Sequence, residues 1–180
     1  MNKVTKHVLS YPTGYEPDYI IPAKYGKYRY ALGKSGSDPL VVVCMNPSAA
    51  KEDFSDKTIN RIISVSKILK RDGWVVFNLY PERATKSVCL GEYDDVVGKE
   101  NLAVISDFIK KNHIKDVWGA WGNSNGIKTL EVAKNSLLKM LKDYGINIFY
   151  FGTLTKSQNP RHPLQRNEKV IFSESNKKYL

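Results

Sequence analysis

Four runs along the chain read as strands: LVVVCM at residues 40–45, which is apolar without alternation, WVVF at 74–77, the segment 114–120, and INIFYF at 146–151. Each is short and rich in β-branched or aromatic residues, the pattern of a strand covered on both faces. A further short strand is expected at 28–32, before a turn at 33–39. Between the runs the period changes to that of a helix. Ser55 or Asp56 would cap a helix on which Ile59, Ile62, Ile63, Ser66 and Leu69 share a face, with Gly73 at its end. Leu102, Ile105 and Ile109 form a stripe within 98–112. Ile127, Leu130, Leu137, Leu138 and Leu141 form another within 126–144, which Gly145 closes. Strand and helix in repeated alternation predict right-handed crossovers and an α/β fold, with a mostly parallel sheet covered by helices on both faces.

Residues 1–27 depart from this pattern. Tyr11, Tyr15, Tyr19 and Tyr25 alternate with Pro12, Pro17 and Pro22, and proline at that frequency prevents a long helix. The segment reads as an extended N-terminal arm on a single α/β domain of residues 28–180, its tyrosines covering apolar surface with their hydroxyls in water. A chain of 180 residues is long enough for one domain with a sizeable core. With 42% apolar and 26% charged residues, a disordered chain is excluded.

Charge narrows the partners. Lys and Arg number 28 against 18 acidic residues, a net charge of +10. Such an excess favours a polyanion, nucleic acid before a membrane surface, or else a lysine-rich solubilising surface. Cys44 and Cys89 cannot furnish a four-cysteine zinc or iron–sulfur site, and His7, His113 and His162 are scattered. No metal and no cofactor are therefore expected. The N-terminal MNKVTKHVLSYP lacks the apolar stretch of a signal peptide, and no apolar run approaches the ~20 residues of a membrane span. A cytoplasmic location is expected.

In open parallel sheets, ligands bind outside the carboxyl ends of the strands. Asn46-Pro47-Ser48 follows the first run, Asn78 ends the second, Trp121-Gly122 follows the third, and His162-Pro163 lies in the loop after the fourth. Any one of these is explained by a turn, a loop amide or packing. Four at one edge outline a pocket. Asn46 and Asn78 each offer an amide donor and an acceptor, suited to the edge of a planar heterocycle. Trp121 supplies apolar surface, for the core or the site. His162 titrates near neutrality and can donate to a developing oxyanion. Lys156, Arg161 and Arg166 flank it and suit phosphates. A serine–histidine–acid order, a phosphate-cradling glycine loop and a dinucleotide glycine fingerprint are all lacking.

From Tyr28 to Leu164 the chain resembles the bacterial and phage family called domain of unknown function 1643. The resemblance rests on Arg29, Asn46-Pro47-Ser48 with Ala50, Asp56 and Thr58 with Arg61, Asn78-Leu79, Ala84-Thr85, Ala120-Trp121-Gly122, and Pro160-Arg161-His162-Pro163-Leu164. That family brings no established activity. More distantly, four motifs are similar in order and placement to the uracil-DNA glycosylase superfamily. Cys44-Met45-Asn46-Pro47 stands where that superfamily has a water-positioning loop, and Asn78 where it has a base-reading asparagine. Trp121-Gly122 and His162-Pro163 match its Trp-Gly segment and its His-Pro loop. Three departures accompany the likeness: Cys44 replaces a glycine, Asn46 stands where the most active members have an acid, and Leu164-Gln165 replaces a Ser-Pro.

This resemblance implies a three-layer α/β/α fold and hydrolysis of an N-glycosidic bond on a flipped base. It implies that His162 stabilises the leaving base, Asn78 pairs with the base edge and Asn46 orients water. Lysines and Arg161 would hold phosphates, with Pro47, Ser48 and Trp121 also contacting the substrate. Asp56 is the nearest carboxylate that could serve as a base; capping the first helix is its alternative role. The expected function is thus a nucleic-acid base-recognising enzyme, glycosylase-like and acting on an unusual or modified base of DNA. Two alternatives use the same pocket: an enzyme of free nucleotides or nucleosides, and a DNA-binding module without chemistry.

Overall fold

The structure is a computed structural model that describes residues 9–84, 86–165 and 169–180. His7, Thr85 and Arg166, singled out above, lie outside the described residues. Strands β3 (Pro39–Cys44), β4 (Gly73–Asn78), β5 (Asp116–Gly119) and β6 (Asn147–Tyr150) correspond to the four runs. They are joined through helices α1 (Lys57–Ile68), α2 (Asp95–Lys111) and α3 (Lys128–Asp143). Three further strands complete the sheet: β1 (Tyr19–Ile21), β2 (Ala31–Lys34) and β7 (Lys178–Tyr179). The strand order is β1-β2-β4-β3-β5-β6-β7.

The expected mostly parallel sheet is corrected to a mixed one. The four central strands run parallel, whereas β2 on β4, β1 on β2 and β7 on β6 are antiparallel. Connection length accounts for the parallel centre: a parallel neighbour needs a crossover of a dozen or more residues, and each of its three crossovers carries a helix. The two edges are filled by short pieces of arm and tail, and β1 makes part of the arm an integral strand.

Alternation along the central strands divides the core. Leu40, Val42, Trp74, Val76 and Trp118 face α1 and meet Ile59, Ile62, Ile63 and Val65. Val41, Val43, Val75, Phe77 and Val117 face the other helices and meet Ile105, Phe108, Leu130 and Leu137. Every residue of β3 and β4 is buried, so the sequence there shows no polar alternation. The arm closes the α1 side: Tyr11 stacks on Trp74 at 6.0 Å, and the Trp74 indole N–H donates to the Tyr15 carbonyl. The Tyr11 hydroxyl, expected in water, instead donates to the Lys51 carbonyl.

Two boundaries differ from expectation. Helix α1 ends at Ile68, and Gly73 opens β4 instead of closing the helix; a Cβ there would lie 2.6 Å from the Lys34 carbonyl oxygen. Strand β2 sits at 31–34 because Leu32, Gly33 and Lys34 pair with β4. Among the described residues, no helix is long and apolar enough to cross a membrane.

Candidate functional site

The parallel ladder continues past its strands. Leu79 N donates to the Cys44 carbonyl at 2.9 Å, Tyr80 N to Met45 at 3.3 Å, and Ala120 N to Val43 at 2.8 Å. Asn78 is register partner of Cys44, so Asn46, Asn78 and Trp121 emerge from one edge of the sheet. The loop after β6 is fastened to the same edge. Gly122 N donates to the Pro160 carbonyl at 2.9 Å, and Trp121 Nε1 donates to Asn159 Oδ1 at 3.3 Å. Gly122 turns there at φ +70°, a conformation that side chains with a Cβ rarely adopt.

These segments enclose a cavity of about 260 Å³. Of the residues expected from sequence, Asn46, Ser48, Asn78, Trp121 and His162 line it. Pro47, Asp56 and Arg161 do not. The Asp56 carboxylate caps α1, Oδ1 accepting from Ile59 N at 2.9 Å, while Oδ2 accepts from Ala50 N at 3.0 Å. Arg161 turns back onto its own loop and donates from Nε to the Thr153 carbonyl at 3.0 Å.

Asn78 is the most deeply buried residue lining the cavity. Its side chain has no exposed surface, and neither Nδ2 nor Oδ1 has a hydrogen-bond partner. Buried amides are almost always paired, because an unmet donor or acceptor costs about 1–3 kcal/mol. The backbone around Asn78 is held from α2, where Asn101 Nδ2 donates to the carbonyls of Asn78 at 2.9 Å and Leu79 at 3.2 Å. Ser48 adds a buried hydroxyl oxygen that also lacks a partner.

Asn46 is oriented differently. Its Nδ2 donates to the Ala84 carbonyl at 2.9 Å, which commits its N–H side and makes Oδ1 the atom offered to a ligand or water. His162, exposed at the mouth, accepts at Nδ1 from Leu164 N at 3.2 Å. A neutral imidazole with an accepting Nδ1 carries its proton on Nε2, the tautomer that can donate. Trp121 is 2% exposed and packs with the core on the α2 and α3 face while bordering the cavity. Cys44 also borders it, and burial pushes its thiol up to about 12, so it is neutral at ordinary pH.

A family model described as "protein of unknown function (DUF1643)" matches residues 29–164. The chain belongs to this family. The matched span encloses every residue that lines the cavity. No curated protein and no solved structure matches the chain.

The first residue of the DUF1643 span, Arg29, was not among the site residues expected from sequence, yet its side chain lines the cavity at 1% exposure. Nη1 donates to the Ala50 carbonyl at 2.9 Å, and Nε has no partner. Arg83 Nη1 reaches the same carbonyl at 3.4 Å. Burial, and then the Arg83 charge, lower the Arg29 pKa to about 10, which leaves it charged at neutral pH. Asn101 was missed as well, although a polar residue on the Val97–Ile105 stripe of α2 was its available signal.

Proposed function

We propose that this DUF1643 protein recognises a base of nucleic acid and acts as a DNA glycosylase-like hydrolase on an unusual or modified base. The observation that carries the reading is the Asn78 amide: wholly buried, at the cavity, with donor and acceptor both unmet. A planar heterocycle with adjacent acceptor and donor atoms satisfies both. At about 260 Å³ the cavity is smaller than the roughly 300–1,000 Å³ of sites for drug-sized ligands, which suits one small heterocycle.

In this reading Asn78 pairs with the base edge, and His162 donates from Nε2 to the oxygen on which charge develops as the N-glycosidic bond breaks. Asn46 holds a water through Oδ1. The water adds its oxygen to the sugar carbon, and the departing base retains the bonding electron pair and takes up a proton. Helices on opposite faces of the parallel centre support a three-layer arrangement of the glycosylase kind. The +10 charge supports a nucleic-acid partner.

The test is incubation with duplex and single-stranded DNA carrying common or modified bases, assayed for released base and abasic sites. Release from at least one substrate is expected, together with affinity that falls steeply with salt as phosphate contacts are screened. No release, with binding that is absent at low salt or indifferent to it, would contradict the reading.

A further inference from the structure

We propose that the cavity accepts a planar heterocycle bearing an anionic oxygen group, a carboxylate or a phosphate, and that Arg29 binds this anion with Ser48 as a second donor. The inference rests on the base-recognition reading and specifies its substrate class.

Arg29 is among the largest fully buried side chains of the protein, and among the described residues no carboxylate forms an ion pair with it. The carboxylate whose charge reaches Arg29 is Asp56, but its two oxygens accept from the backbone N–H groups of Ile59 and Ala50 and form no ion pair with it. An unpaired guanidinium in a protein interior is strongly disfavoured, because the lost hydration is not replaced. Arg83 adds to this imbalance, since its guanidinium converges on the same Ala50 carbonyl, 3.4 Å from its Nη1.

A neutral base would satisfy Asn78 and leave Arg29 Nε and Ser48 Oγ unmet in the same cavity. An anionic substituent resolves both. The planar fork of a guanidinium matches the paired oxygens of a carboxylate or phosphate. The apolar walls at Ile59 and Val76 exclude water and strengthen that contact.

The experiment is calorimetric titration of the full chain with uracil, orotate (uracil carrying a carboxylate), uridine 5′-monophosphate, adenine, adenosine 5′-monophosphate and inorganic phosphate. At least one anionic heterocycle should bind tenfold or more tightly than its neutral parent. Arg29→Met should erase that advantage without lowering the melting temperature, and Ser48→Ala should weaken it several-fold in a normally folded protein. A preference for orotate places the anion on the base; a preference for the monophosphates places it on a nucleotide. Equal binding of neutral and anionic heterocycles overturns the anion assignment alone. Inorganic phosphate binding as tightly as the monophosphates overturns the base-recognition reading and this inference with it, as does binding of none of the six probes. An Arg29→Met protein that melts early but keeps the anionic preference makes Arg29 a structural strut and also overturns it.

Discussion

Asn78 and Asp56 show how differently two polar residues near one sheet edge are employed. Asn78 holds two unmet amide atoms against a cavity, whereas both oxygens of Asp56 are filled by backbone donors. For Asp56 this geometry predicts a structural phenotype. Asp56→Asn keeps one accepting oxygen and should lose about 1 kcal/mol, one hydrogen bond. Asp56→Ala should lose more, about 2 kcal/mol, with the helix cap gone. In both, base release or binding should fall only in step with the folded fraction, as urea titration beside the assay will show. An Asp56→Asn protein as stable as the parent but inactive would identify Asp56 as a base after all. At this scale the sequence was only partly legible. Asn46, Ser48, Asn78, Trp121 and His162 stand out because strands stop beside them. Arg29 stands out only through the family resemblance, since a lone arginine within the short strand expected at 28–32 looks solvent-facing, and the Ala50 carbonyl that it meets lies 21 residues away.

Elements were legible in proportion to their own burial. Strands β3 and β4 and helices α1 and α3 carry their signal in consecutive or period-matched apolar residues. Strands β1 and β7 are three and two residues long and depend on pairing with a distant neighbour, which leaves no local pattern to read. Strand β2 is a test of that dependence. Gly33 faces Val75, and a Cβ on it would lie 2.3 Å from the Trp74 carbonyl oxygen and 2.7 Å from Val75 Cα. Those are backbone atoms of the central sheet and cannot rotate away. Gly33→Ala should therefore destabilise by about 1–3 kcal/mol, the range for overpacking, and loosen both β2 and the β1 strand beyond it. Gly26→Ala, with open space around its Cβ, is the matched control and should stay within about 0.5 kcal/mol of the parent. Equal denaturation midpoints for the two variants would show that the β2–β4 contact is looser than described.

At the scale of the whole molecule, the DUF1643 span and the cavity coincide, while the edge strands β1 and β7 lie outside it. The arm and tail complete the sheet and cover the core, through Tyr11 on Trp74 and Phe172 against Trp118. The shared part contains the site. Charge was legible as a total, +10, but a total does not reveal that two guanidiniums converge beside the cavity, because only folding brings Arg29 and Arg83 to one carbonyl. The central claim is that Asn78 and His162 serve a ligand rather than the fold. Thermal unfolding and base release should be measured on the same preparations of the parent, Asn78→Ala and His162→Ala. The Asn78 amide makes no hydrogen bond, so its loss breaks none, and His162 gives up at the exposed mouth its bond from Leu164 N; both variants should melt within about 1 kcal/mol of the parent. Base release, or base-selective binding, should drop by roughly 10²–10³, the loss typical of a donor that acts on developing charge. Variants that melt early and otherwise release or bind base like the parent would contradict the account.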